Sequence, residues 1–256
     1  MIHASAEVDP GARLADGVSV GACSIIGPGV EIGEDTWIGP HVVIQGPTRI
    51  GKKNRIYQFN SIGDIPQDKK FSGEKSRLEI GDGNVIREFC TLNRGTEGGG
   101  GVTRIGNDNW IMAYVHVAHD CQIGNAATMA NGTTLAGHVS VGNFVTFGAF
   151  TLVHQFCAIG AYSFSAMGTV VFKDVPPFVT ISGNSAKPHG LNTEGLKRRG
   201  FDTDVLRELR RAYKIIYKQG LTVDQALASL DAPARKYAEV AALRDFVAGS
   251  TRGVVR

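Results

Sequence analysis

A mainly β fold, a parallel β-helix closed by a small α-helical domain, is what this sequence predicts, on two observations. Residues Ile2, Val8, Leu14, Val20, Ile26, Ile32, Ile38, Ile44, Ile50, Ile56 and Ile62 place a bulky aliphatic side chain at every sixth position, often followed by Gly, as in Ile26-Gly27 and Ile38-Gly39. Beyond Pro176-Pro177 the apolar spacing changes from six to the three-and-four alternation of helices. If roughly one residue in four is aliphatic, the first run arises by chance about once in four million, so the period dictates the architecture before any other signal. A six-residue unit makes one short strand and a corner that cannot bury its apolar residue alone, whereas stacked units bury them in one column.

Taken in order, the period resumes in phase at Ile80, Ile86 and Leu92, then slips by one residue across Gly98 to Gly101. It runs on through Ile105, Ile111, Val117, Ile123, Met129, Leu135, Val141, Phe147, Val153 and Ile159, is broken by Ser165, and returns at Val171. Two polar or Gly-rich insertions, 64–77 and 94–103, interrupt the coils, and loops thrown out of a rigid solenoid are favoured binding places. The first holds Gln67, Asp68, Lys69 and Lys70, a mixture suited to a polar ligand. In the tail, Asp202 or Thr203 caps a helix carrying Leu206, Leu209, Tyr213 and Ile216 and ending near Gly220. Thr222 caps a second over 223–230, and Asp231 precedes a third with Tyr237, Val240, Leu243 and Val247. The expected division is a β-helix over 1–190 and a helical domain over 191–256.

Composition narrows the function. At 43% apolar and 20% charged the 256-residue chain is an ordinary globular sequence, with no apolar run of membrane-spanning length and no signal-peptide start, so a cytoplasmic location is expected. Cys23, Cys90, Cys121 and Cys157 lie scattered inside repeat units, without zinc-type spacing, and read as small buried residues. A net charge of +3 without interleaved aromatics argues against nucleic acid. The basic residues of the tail, Lys197 to Lys218, suit an acidic protein partner instead.

Four of the seven histidines, His116, His119, His138 and His154, fall within one stretch. Resemblance to known hexapeptide-repeat proteins implies left-handed coils of eighteen residues, and at that period His119, Gly137 and Gln155 stack in one column. A histidine can take a proton from a hydroxyl, and a glycine one coil above can offer an unencumbered N–H to a developing oxyanion, the two elements of acyl transfer. Asp120 can orient the imidazole. Hexapeptide carbonic anhydrases bind zinc through three histidines, including a pair five apart by family resemblance. Here the spacing is HVAH, so neither metal nor cofactor is expected.

The segments HVAHDCQIGN, LAGHVSVG, VHQFCAIGA, DVPPF and GNSAKPHGLNTEGLKRRGF together resemble the UDP-N-acetylglucosamine O-acyltransferases of lipid A biosynthesis, over essentially the whole chain. That resemblance implies a homotrimer with sites between subunits, acyl carrier protein as partner, no stable membrane insertion, and transfer of an (R)-3-hydroxyacyl group to the sugar 3-hydroxyl. It makes His119 the general base, Asp120 its partner and Gly137 the oxyanion donor. His116, His138, His154 and Gln155 would line the sugar, pyrophosphate and acyl sites. Gln67, Asp68 and Lys70 would meet the substrate from a neighbouring subunit. Asn192, Glu194, Arg198 and Arg199 would hold the nucleotide end, where an arginine fork grips phosphate. Met167 stands where long-chain members carry glycine, which implies a shorter, 3-hydroxydecanoyl-like acyl chain. A relative forming an amide on a 3-amino sugar nucleotide fits the same motifs.

Overall fold

The computed structural model describes residues 1–256. Strands of two to five residues alternate with turns from Glu7 to Leu191 and pair into sheets of nine, eight and ten strands, each complete coil giving one strand to each sheet. All pairings are parallel except the last, where Lys187–Leu191 runs antiparallel to Val179–Ser182. Paired residues stand eighteen apart, as in Glu7↔Ile25 and His116↔Thr134, and the β-helix is left-handed. At the insertions the spacing widens to thirty, Ser61↔Thr91, and then to twenty-five, Thr91↔His116. Twelve extra residues are two whole repeats, so the aliphatic phase survives; seven are one repeat and one residue, which is the slip seen after Leu92.

The sixth-position side chains form the core. Ile26, Ile44, Ile62, Leu92, Val117 and Leu135 line one wall at 0–1% exposure. Truncating one of its isoleucines or leucines to Ala costs about 2–5 kcal/mol, because stacked coils cannot collapse into the hole. Ser165, which breaks the pattern, still points inward at 3% exposure, and its hydroxyl lies 2.8 Å from that of Thr151. A buried ladder of Asn54, Asn84 and Asn109 crosses the coils that carry the insertions, each Oδ1 accepting the N–H of the residue one coil on. Three cysteines are buried as expected, but Cys23 is exposed because it occupies a corner rather than an inward position.

Sixteen non-glycine residues have positive φ, nearly all at corners. That conformation costs an L-residue about 1–2 kcal/mol. Stacking between coils offsets it: Phe59, Phe89 and Tyr114 form a continuous aromatic pile with centroids 5.1 and 4.9 Å apart, each pair contributing about 0.5–1.5 kcal/mol.

The tail holds four helices: α1 (Thr193–Arg198), α2 (Thr203–Lys218), α3 (Val223–Lys236) and α4 (Ala238–Gly249). Asp202 caps α2, and Thr222 with Gln225 forms a capping box on α3, as their sequence signals suggest. Asp231 does not start a helix. It lies inside α3, its carboxylate 3.0 Å from Arg244 on α4, and the break comes instead at Tyr237, whose backbone is extended. Tyr213 of α2 and Val255 near the chain end join the β-helix core, which docks the helices onto the last coils.

Candidate active site

The prism has three corners, and the candidate residues divide among them. The first corner joins the nine-stranded to the eight-stranded sheet; it bears Asp120, His138 and Phe156, each at positive φ one coil apart. Both insertions leave from this same corner, between Ser61–Asp64 and Arg77–Ile80 and between Thr91–Asn93 and Val102–Ile105. The repeat therefore directs two loops and the side chains of His119, Asp120 and His138 to one place.

His119 Nδ1 lies 2.8 Å from Asp120 Oδ2. Asp120 is sealed from solvent, and the second insertion seals it: the Thr96 N–H donates to Oδ1 at 2.9 Å and the Thr96 hydroxyl to Oδ2 at 2.6 Å. The glycines of that loop have a purpose. A Cβ on Gly99 would stand 2.0 Å from the Asp120 carboxyl carbon, so only a bare backbone can approach this closely. Thr103 adds a hydroxyl that accepts from the Asp120 N–H at 2.7 Å. A carboxylate gripped by three donors sets the imidazole tautomer, leaving Nε2 free to accept a proton.

Gly137 lies directly on the ring of His119. A Cβ there would fall 2.6 Å from Cε1 and 2.8 Å from Nε2. The Gly137 N–H has no backbone acceptor. His138 meets His119 edge-on at 5.1 Å between centroids, stacks on Phe156 at 4.3 Å, and brings Nδ1 to 3.8 Å from Asp120 Oδ2. His116 Nδ1 is 2.7 Å from the Thr91 hydroxyl. His154 and Gln155 are exposed two coils above His119, with Arg252 donating to His154 Nδ1 at 3.3 Å.

Burial holds the His116 and His138 imidazoles below the ordinary value of 6.5, on His138 against the opposing pull of the Asp120 carboxylate, and the neighbouring His119 acts on both in the same direction as burial. Both are accordingly neutral at pH 7. The unfolded chain takes up protons at higher pH than the fold, so the stability these rings contribute is present above 6.5 and lost as acidification passes their lowered values. Thermal melting should fall steadily from pH 7 to pH 5, and His116→Asn should flatten that dependence.

The first insertion packs beside His138 and Phe156 of its own chain, where Asp68, Lys70, Phe71 and Thr96 help line a cleft of about 440 Å³. Within one chain, the loop and the histidines share one corner. Gln67 is exposed on the same loop.

The remaining candidates lie elsewhere. Asn192 caps α1 and donates to the Tyr162 carbonyl at 3.0 Å, and the Arg199 guanidinium sits 4.2 Å over Phe144. Phe144 and Tyr162 belong to the second corner, between the eight- and ten-stranded sheets. Arg198 is exposed beside them, and Glu194 pairs with Lys197 at 3.1 Å. Met167 is 73% exposed at the third corner, the aromatic one. One chain brings together His119, Asp120, Gly137, His138 and the first-insertion residues, but neither the nucleotide-end residues nor Met167.

The residue the sequence did not disclose is Thr96. Its signal was the Gly-rich run around it, read as a loop rather than as room for close approach. Thr96→Val removes one hydrogen bond to a buried charge, worth about 1.5–3 kcal/mol, and should lower kcat roughly tenfold to a hundredfold with little change in KM. Thr96→Ser should restore it.

Comparison with known proteins agrees with this geometry. Residues 174–255 match the family model for domain 2 of UDP-N-acetylglucosamine O-acyltransferase, and 103–137 match the bacterial transferase hexapeptide model. An acyl-carrier-protein-dependent UDP-N-acetylglucosamine O-acyltransferase of Thiobacillus denitrificans is 57% identical over 255 residues, covering all of this chain and 99% of the relative. The one from Stutzerimonas stutzeri is 56% identical over 256 residues, with the same coverage. Among solved structures, the UDP-N-acetylglucosamine acyltransferase of Francisella novicida superposes with a TM-score of 0.98 at 41% identity, covering all of this chain and 94% of its own. That of Arabidopsis gives 0.89 at 32% identity over the whole of both chains. A corner built from stacked coils, a matching tail and identity along the whole chain converge: the chain belongs to the UDP-N-acetylglucosamine O-acyltransferase family.

Proposed function

We propose that this chain transfers an (R)-3-hydroxyacyl group from acyl carrier protein to the 3-hydroxyl of UDP-N-acetylglucosamine, the first step of lipid A biosynthesis. The observation that carries the mechanism is the stack of Gly137 on a His119 ring whose Nδ1 is held by Asp120. His119 Nε2 removes the hydroxyl proton as the sugar oxygen attacks the thioester carbonyl. Negative charge on the carbonyl oxygen is met by the Gly137 N–H, and Asp120 stabilises the imidazolium. Collapse breaks the carbon–sulfur bond, and His119 returns the proton to the departing thiolate.

Asp68 and Lys70, with Gln67 on the same loop, contact the sugar beside His138, while His116, His154 and Gln155 line the pyrophosphate and acyl paths. Asn192, Glu194, Arg198 and Arg199 take the nucleotide. These groups lie on different corners, separated by a sheet six residues wide, about 20 Å at strand rise. That separation supports a homotrimer in which one protomer's first corner faces a neighbour's second. Residues 1–190 act as the scaffold, and 191–256 dock the acidic carrier protein. No helix is long and apolar enough to cross a membrane, which accords with a cytoplasmic enzyme meeting a cytoplasmic donor.

Met167 ends the acyl groove, replacing a hydrogen with a thioether that excludes extra methylenes. In competition, 3-hydroxydecanoyl carrier protein should be consumed about tenfold or more faster than the 3-hydroxymyristoyl donor, and Met167→Gly should reverse the order. Product analysis with UDP-N-acetylglucosamine and its 3-amino analogue tests the acceptor: an ester from the first supports the assignment, and acylation of the amine alone overturns it.

A further inference from the structure

We propose that the catalytic corner is also a binding site for a divalent transition-metal ion of the zinc type, and that the bound ion holds the enzyme inactive. The site spans two coils, so no sequence spacing displays it. His119, Asp120 and His138 bring one ligand atom each within 4.8 Å of one another. Asp120 Oδ2 is 2.8 Å from His119 Nδ1 and 3.8 Å from His138 Nδ1. Zinc bonds to imidazole and carboxylate run roughly 2.0–2.2 Å, so an ion at this corner draws the three donors in by side-chain rotation.

Two imidazoles and a carboxylate, with a fourth position open to water, suit zinc, cobalt and copper rather than magnesium or calcium. Both rings retain access to solvent, His119 at 15% and His138 at 24% side-chain exposure, so an ion can reach them. Asp120 is fixed from behind by Thr96, which leaves it oriented toward both rings as a supporting partner would leave a ligand.

Inactivation follows from the chemistry of one ring. In the working state Nδ1 carries the proton that Asp120 accepts, and Nε2 is the base. A metal on Nδ1 displaces that proton, and the neutral ring then carries its proton on Nε2. The atom that faces Gly137 changes from acceptor to donor and cannot receive the sugar proton. This inhibitory half rests on His119 being the base; the binding half does not.

The test uses the full-length Cys23→Ser chain, which lacks the one exposed thiol. Cobalt(II) added at one equivalent should develop the intense visible bands of a four-coordinate ion, and zinc should bleach them by displacement. Turnover should fall as zinc occupies the site and return on addition of EDTA. Saturating UDP-N-acetylglucosamine should protect. His119→Ala and His138→Gln, each checked by circular dichroism, should weaken cobalt binding by more than the roughly hundredfold that loss of a supporting partner costs. A cobalt spectrum unchanged by the Cys23→Ser chain, or bands that survive when either histidine is replaced, overturns the site. Bands accompanied by full turnover support the site and overturn His119 as base.

Discussion

His119→Ala is expected to lower kcat by about a thousandfold to ten-thousandfold while leaving the fold intact. The side chain is partly exposed, and no core contact depends on it: its hydrogen-bond partner Asp120 retains the Thr96 N–H and hydroxyl as donors. Loss of the ring therefore leaves no buried charge unpaired, and the melting temperature should move by no more than a few degrees. KM for the sugar nucleotide should change little, because removing a proton acceptor acts on the transition state and not on ground-state binding. Steady-state kinetics beside thermal melting checks both halves. Turnover within tenfold of wild type would remove His119 from the mechanism.

Gly137→Ala carries the second large effect, and for a different reason. The added methyl would sit 2.6 Å from His119 Cε1, inside any real carbon contact, and the backbone above cannot lift because Phe156 donates to the Gly137 carbonyl at 3.1 Å. The ring must swing away instead, which lengthens the Asp120 hydrogen bond and moves Nε2 off its line. A displacement near 1 Å at the reacting centre costs roughly a hundredfold in rate. Overpacking adds about 1–3 kcal/mol of destabilisation. Unlike His119→Ala, this variant should lose stability and activity together, and a double variant of both should lose little more activity than His119→Ala alone. Additive losses would mean that Gly137 acts without His119.

The architecture was readable because a six-residue period leaves one buried position per unit, and inward residues such as Ile111 and Leu135 obey it without regard to their neighbours. The His119–Gly137 stack was readable from the same arithmetic, since one coil is a fixed count of residues. What escaped was everything that depends on a loop rather than on the count. Thr96 reaches Asp120, 24 residues on, from an irregular loop, and nothing in its local sequence marks the contact. Asp231 looked like a helix cap because its type favours caps, but Arg244, thirteen residues on, engages it in mid-helix. The proximity of His138 to His119 and Asp120 has no local spacing to mark it, because the residues stand on successive coils.

Register within the coils has a further meaning for how such an enzyme can change. Between His119 and Gly137 there is one coil and no loop, so a single inserted residue would not merely nudge Gly137. It would rotate every following side chain by one place, turning Leu135 outward and removing Gly137 from its column. Geometry at this corner is digital: it admits whole repeats, or excursions that leave and rejoin at the same corner, and nothing between. Variation is then confined to side chains or to the lengths of the two loops, while the spacing of His119 and Gly137 is inherited as an integer.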